Sequence, residues 1–414
     1  MVVEKFRGDG MLKKFMFVFA VYALASSSIA AHSTDASQLL PYVNEVESLP
    51  SELTKDRSGG QKNAATLSRV GRYREAETAF NTVLPFTKIQ GSRVSDTRLE
   101  QLKAVDGIAA VVEEASKRRL VIVNEAHHIP LHRAFVQKLL SQLYRLGYRY
   151  LACEAFMQNT NALVTDKEVP FGAGAYLADP IFAELTREAK ASGWTLVHYE
   201  ASLDNVTNKS DRAAARELEQ AENLAKVFKV DPDAKVLVLA GLGHAHRVST
   251  QTPNGLFKSM ASHIADIPGL NPLVVDQVIL SGPADAENAV ELRPKLLKHF
   301  SGMTNNPFTL VSDNGDYFTV AVFPKSVDIQ IIHPNYPVRD GRPTWLSTLA
   351  GRQPLQPPGA GQPSPKDKLI LARRQGAKSG SVPVDAILVK AGEPVPVLMV
   401  PEGQIEVEVV DLTM

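Results

Sequence analysis

Glu125, His127 and His128 stand within four residues of one another, with His132 and Arg133 just beyond. A carboxylate beside imidazoles can do two kinds of chemistry. It can hold a divalent ion such as zinc or manganese in a mixed nitrogen and oxygen shell. It can instead orient a histidine that takes a proton from water, with no metal involved. Both activate water, so both predict hydrolysis. Glu154, Glu200 and His244 stand in comparable settings further along the chain.

What joins these residues is the element before each one. Val121-Ile122-Val123 leads into Asn124-Glu125, Tyr150-Leu151-Ala152-Cys153 into Glu154, and Thr195-Leu196-Val197-His198-Tyr199 into Glu200. Val236-Leu237-Val238-Leu239-Ala240 leads into Gly241-Leu242-Gly243-His244. Apolar runs alternating with helical segments indicate βαβ units and a parallel sheet. In such sheets ligands bind beyond the carboxyl ends of the strands. If the four runs are neighbouring strands, Glu125, His127 or His128, Glu154, Glu200 and His244 emerge at one edge. The expected fold class is α/β, a central, mostly parallel sheet with flanking helices, an N-terminal helical hairpin and a C-terminal β-rich extension.

The intervening segments fit that scheme. Ala134 to Tyr144 is amphipathic and stops at Gly147, and Asp179-Pro180 opens a helix that Gly193 ends. Further helices are expected from about Asp211 to Phe228 and from Gly255 to about Ile264, and strands over Pro272–Leu280, Tyr317–Phe323 and Val327–Ile332. Richer strand content there suggests an antiparallel edge or a small added sheet. His198 lies inside its strand and reads as a core histidine, while His246, His263, His299 and His333 read as surface or structural. Arg133 could stabilise an anion or form a surface salt bridge. Cys153 is the only cysteine, so no disulfide forms within the chain. Strand alternation sends it to the face opposite Glu154, which suits a small buried residue better than a nucleophile.

The stretch Asn124 to Arg133, then Glu154-Ala155-Phe156, then Gly241-Leu242-Gly243-His244 resembles the ChaN-like, Tiki and erythromycin-esterase superfamily. The resemblance runs from Leu120 to about Val248. Asn124 stands where the family usually has Gly. His127 suits the ChaN-like and Tiki spacing, and His128 the esterase spacing. The segment from Asp211-Arg212 to Ala221-Glu222-Asn223 is similar to a helix of the esterase branch that carries an Arg and an Ala-Glu-Asn. The resemblance implies Glu125, His127 or His128, Glu154 and His244 as the site. Glu125, His127, Glu154 and His244 would be the ligands if a metal is bound, with His132, Arg133 and Glu200 as secondary candidates. It supports metal-dependent proteolysis on the Tiki side and metal-independent hydrolysis on the esterase side. The alternative is a ChaN-like haem- or iron-binding protein without turnover. A scaffold that keeps the fold is a third reading, favoured by Asn124. No Gly-x-Ser-x-Gly elbow or His-Glu-x-x-His helix occurs, which argues against those hydrolase and protease classes.

Lysine plus arginine equals aspartate plus glutamate, 45 each, so the chain has no net charge and nucleic acid is disfavoured as a partner. A small-molecule or peptide substrate is expected. Met11-Leu12-Lys13-Lys14 followed by the apolar Phe15 to Leu24 and small residues through Ala31 reads as a signal peptide over residues 1–31. It implies a periplasmic or secreted protein with no stable membrane span after cleavage. The remaining organisation is a flexible segment at 32–60, one tetratricopeptide-like hairpin at 61–100, the α/β domain at 101–350, a Pro/Gly-rich linker at 351–382 and a β-rich segment at 383–414. A lone repeat does not make a stacking array.

Overall fold

The computed structural model describes residues 40–49, 56–83, 94–202, 211–252, 255–281, 292–303, 306–320 and 325–412. The signal-peptide reading falls outside them. Six strands form a wholly parallel sheet: β1 (Leu120–Glu125), β2 (Tyr150–Cys153), β3 (Thr195–His198), β4 (Val236–Gly241), β5 (Leu273–Asp276) and β6 (Ile329–Gln330). Their spatial order is β6-β5-β1-β4-β2-β3. The chain leaves β1, skips a position to β2, and later returns through β4 to fill the gap. The loops after β1, β2 and β4 are therefore immediate neighbours.

Every residue of β1 and β4 is buried, because helices cover both faces of the sheet. Val121, Val123, Leu237 and Leu239 pack on one side with Phe135 and Leu139 of α3 (Pro130–Arg145) and Phe182 and Leu185 of α4 (Pro180–Ala191). Leu120, Ile122, Val236 and Val238 face the other way, onto Leu224 of α5 (Arg212–Val230) and Met260 and Ile264 of α6 (Met260–Ala265). Register then sets the edge. Glu125 pairs level with Gly241, and Cys153 with both Leu239 and His198. The helix signals act as expected: Asp179 caps α4 by accepting the N–H groups of Ile181 and Phe182, and Gly147 and Gly193 take positive φ.

A helical hairpin, α1 (Arg57–Arg69) and α2 (Tyr73–Val83), precedes the sheet, turning at Gly71 with φ of 74°. It begins slightly before the expected 61–100 segment because Asp56 caps it, accepting the N–H of Gly59. Three other expectations are corrected. Leu40–Glu47, in the stretch expected to be flexible, is a helix whose Tyr42 and Val46 pack on the C-terminal strands. Within the expected 351–382 linker, β7 (Lys368–Arg374) is the middle strand of an antiparallel sheet with β8 (Asp385–Val389) and β9 (Ile405–Asp411). Its Leu369 and Leu371 face one apolar cluster and Ile370 and Ala372 another, so a run buried on both faces outweighed the surrounding Pro and Gly. The helix expected from Gly255 is instead a short strand, Gly255–Phe257, and α6 starts only after its cap at Ser259. The small added antiparallel sheet includes the start of the expected Tyr317–Phe323 run: Phe308–Ser312 pairs with Tyr317–Phe318 and with Leu102–Asp106, while β5 and β6, from the other two expected runs, extend the parallel sheet.

Candidate active site

The carboxyl edge of the sheet gathers Glu125, His127, Glu154, Glu200 and His244, with His127 of one hydrogen-bonded chain facing Glu154 of another across 3.9 Å. The first chain begins with the buried Glu125. Arg133, on the first turns of α3, donates from Nε to Glu125 Oε2 at 2.8 Å and from Nη2 to Oε1 at 2.9 Å. The same Nη2 donates to the backbone oxygen of His127 at 2.9 Å, so one guanidinium fixes both the carboxylate and the loop beside it. Burial alone would raise the Glu125 pKa, but Arg133 and His127 outweigh it and bring it down to about 2. Glu125 Oε1 in turn meets His127 Nδ1 at 2.7 Å. This leaves the imidazole with Nδ1–H toward Glu125 and Nε2 as its free nitrogen. The ring stacks on Tyr176, centroids 4.2 Å apart, and its side chain is 28 % exposed.

His127 Nε2 lies 3.9 Å from Glu154 Oε1. That is too far for a direct hydrogen bond and close enough for the two atoms to share one water. Glu154 Oε2 accepts the backbone N–H of Gly241 at 2.6 Å, and Oε1 accepts from Arg216 Nη2 at 2.7 Å. A β-carbon at Gly241 would stand 3.0 Å from Glu154 Oε2 and 3.1 Å from His127 Nε2. Glycine eases this close approach, since a β-carbon would press on both side chains. Glu154 is held well below the usual carboxylate range: burial opposes this, and His244, His127 and Arg216 overcome it.

His244 stands between two carboxylates, Nε2 3.4 Å from Glu154 and Nδ1 2.7 Å from Glu217. Burial disfavours its charged form, yet the two glutamates raise its pKa to about 9. At neutral pH it is an imidazolium. Arg216 completes the group, bonding Glu200 through Nε at 2.9 Å and Nη2 at 2.5 Å while its Nη1 lies 3.2 Å from His244 Nε2. Gln220 donates to Glu200 at 3.0 Å, and Met260 N–H anchors Glu217 at 2.6 Å.

Two expected residues fall elsewhere. His128 points away from the edge, buried and stacked on Phe80 of α2, with centroids 3.9 Å apart; neither ring nitrogen finds a partner among the described residues. His132 is buried too, accepting the Ala126 N–H at Nδ1. Of the doubled histidines, His127 is the one at the site. Arg133 belongs to no surface salt bridge: its side chain is 1 % exposed. Asn124, in place of the expected glycine, ties β1 to the end of β5, donating to Asp276 at 2.6 Å and accepting the Gln277 N–H at 2.8 Å. Cys153 is buried with its thiol pushed well up, mainly by burial, which leaves it no nucleophilic role. His198 donates from Nδ1 to the Phe156 backbone oxygen, as a structural histidine would.

Sequence reading missed Arg216, Glu217 and Tyr176. The resemblance on α5 placed an arginine at Arg212, which is exposed; the site arginine is one turn later. A signal was present, since Glu217 and Gln220 share the helix face of Ala221 and Leu224 that turns inward. Polar residues on a buried helix face mark a site or a network. Tyr176 lies in a loop, where no periodicity reports it.

The donor set bears on a metal. Both oxygens of Glu125 and both of Glu154 already accept N–H groups, and a guanidinium occupies the centre of the cluster. A divalent ion would have to displace Arg216 and sit beside a cationic His244. The residues as arranged do not fit one, and among the described residues no His, Cys, Asp and Glu group is arranged to hold a metal. For haem, the imidazole nitrogens are poorly placed: His244 Nε2 faces Arg216, and the ring of His127 is covered by Tyr176.

No known protein family and no curated protein matches the chain. Among solved structures, it is similar to the type III effector HopBA1 at 14% identity and TM-score 0.33, covering 56% of this chain and 96% of that one. It is also similar to RRSP, a MARTX toxin effector domain from Vibrio vulnificus, at 14% identity and TM-score 0.27, covering 66% and 50%. The C-terminal region of Pasteurella multocida toxin, described with a thiol-protease-like catalytic triad, matches at 11% identity and TM-score 0.24, covering 85% and 58%.

Proposed function

We propose that this protein is a metal-independent hydrolase in which His127 activates water. The observation that carries the reading is the chain Arg133–Glu125–His127, which ends in an imidazole nitrogen open to the edge of the sheet. Arg133 keeps Glu125 ionised and fixed, Glu125 holds the Nδ1–H tautomer, and Nε2 is left to take a proton. Glu154, ionised and 3.9 Å away, accepts the second hydrogen of the same water and orients it. The water then adds to an ester or amide carbonyl, and His127 delivers the proton to the leaving group. Arg216 and the His244 imidazolium supply positive charge where the oxyanion develops. The same geometry supports membership of the ChaN-like, Tiki and erythromycin-esterase superfamily, on the side that works without metal. Among the described residues no helix is long and apolar enough to cross a membrane. Residues 1–31 read as a signal peptide, so the proposed location is the periplasm or the exterior; N-terminal sequencing of the exported protein tests it, and an uncleaved N-terminus would refute it.

The test of the activity is a panel of 4-nitrophenyl esters and anilides with the chelated protein. Hydrolysis that survives chelation and is lost in His127→Gln supports the reading. Activity that requires added zinc or manganese, or that His127→Gln retains, defeats it.

A further inference from the structure

Hydrogen bonding alone does not fix His127. Glu125 holds Nδ1 at 2.7 Å, but a single hydrogen bond tolerates a range of angles, and the outer torsion of a histidine is broad. A second contact has to set the plane of the ring if Nε2 is to stay aimed at Glu154. Tyr176 lies against that plane, the two rings inclined by 19° with centroids 4.2 Å apart. The guanidinium carbon of Arg133 lies 5.9 Å from the centroid of the same phenol ring. One side chain thus flanks both ends of the Arg133–Glu125–His127 chain. Tyr176 comes from the loop before α4, and that loop is tied down on three sides. Toward Glu154, the Ala175 N–H donates to the Ala155 oxygen at 3.0 Å. The two segments run so close that a β-carbon at Gly174 would stand 2.4 Å from that oxygen. Toward the N-terminal helices, Arg69 of α1 donates to the Ala175 oxygen at 3.3 Å while it pairs with Glu45 of the Leu40–Glu47 helix at 2.5 Å. The Tyr42 hydroxyl of that helix donates to the Ala178 oxygen. Toward α4, the Asp179 N–H donates to the Tyr176 oxygen at 3.1 Å, and the Asp179 carboxylate stands 3.5 Å from Arg133.

We infer that Tyr176 is a positioning residue for His127: its ring fixes the plane of the imidazole, and the N-terminal helices fix Tyr176 through Arg69 and Tyr42. This rests on the reading of His127 as the base and gives the N-terminal helices a part in the reaction, as a brace behind the loop. A ring packed face to face cannot tilt without losing that contact, so Nε2 is kept on the line toward Glu154 where the water is shared. Misplacing a reacting atom by about 1 Å costs about 10²-fold in rate. The brace therefore acts on kcat, while KM stays near its wild-type value.

The experiment compares Tyr176→Leu, Tyr176→Phe and Arg69→Met in the full chain, by steady-state kinetics on the best 4-nitrophenyl ester and by NMR of the histidine rings, with melting temperatures checking that each variant folds. Tyr176→Leu should lower kcat by about tenfold to 10²-fold with KM little changed. Tyr176→Phe, which keeps the ring, should restore most of the rate. Arg69→Met should lower kcat by about two- to threefold, the size of a weak coupling, and have no further effect on top of Tyr176→Leu, because it acts through that residue. The carbon-bound ring protons of His127 should be shifted upfield by the phenol ring in the wild type, shifted likewise in Tyr176→Phe, and unshifted in Tyr176→Leu; this readout needs no turnover. Wild-type kcat in folded Tyr176→Leu, an equal loss in Tyr176→Phe, additive losses from Arg69→Met and Tyr176→Leu, or a His127 ring without the upfield shift would overturn the inference. Failure of the hydrolase reading looks different: hydrolysis then survives His127→Gln, and the ring shifts alone decide whether Tyr176 holds the imidazole.

Discussion

Two groups of histidines in this fold behave in opposite ways. His127 and His244, at the carboxyl edge of the sheet, each meet a carboxylate at 2.7 Å. His128, His132 and His333 lie beneath the hairpin and α3, and burial drives their pKa values down, to about 3 for the first two and well below the usual value for the third. His128 follows His127 directly, yet one ring stacks on Phe80 and the other on Tyr176. The difference is made by the partner. A carboxylate beside an imidazole gives it a fixed tautomer or a fixed charge, and burial without one leaves a neutral ring that serves packing.

The sharpest way to break this contrast is to substitute one member of each group. His127→Gln should lower hydrolysis by about 10²–10⁴-fold, the usual contribution of a general base, with little change in melting temperature. Steady-state rates and a thermal melt decide it, and a large stability loss with retained rate would reassign His127 to the structural group. Arg133→Met should cost about 3–5 kcal/mol of folding stability, because it strands the buried Glu125. Denaturant titration measures this, and a wild-type midpoint would remove Arg133 from the account. Gly241→Ala should reduce the rate by about 10²-fold by pushing Glu154 and His127 apart, with a smaller effect on the melt.

The two groups also predict opposite pH dependences. The folded pKa values of His128, His132 and His333 lie below the ordinary 6.5, so their contribution is complete above about 6.5. It is lost as pH falls from 6.5 toward 3, by about 1.4 kcal/mol per pH unit for each histidine that must be protonated. His244 has the reverse sign: raised to about 9, it stabilises fully below 6.5 and loses that contribution as pH rises through 9. Melting temperature against pH should fall on both sides, with His244→Gln flattening only the alkaline limb. The smallest effect expected is that of His128→Leu, within about 1.5 kcal/mol at neutral pH, with a shallower acid limb.

Much of the edge was legible in the chain. Apolar runs stopping at Glu125, Glu154 and Gly241 report strand ends, and a parallel sheet brings strand ends together whatever its order. What the sequence does not carry is side-chain direction across a turn. His127 and His128 are chemically identical, and only the backbone path after Glu125 sends one to the edge and the other under Phe80. Arg216 was hidden for a related reason, since a helix with several arginines shows its site residue only once its face is known. Lys368–Arg374 was masked by its neighbours, a short strand read as linker because Pro and Gly crowd both sides.

The most direct test of the central claim is the protonation pattern of the histidine rings, read from two-bond ¹H–¹⁵N correlations at pH 8 on the uniformly labelled protein. His127 is expected as the Nδ1–H tautomer with Nε2 unprotonated, and His244 carrying protons on both nitrogens. A His127 ring protonated at Nε2 instead would have no lone pair facing Glu154, and His127 could not be the base.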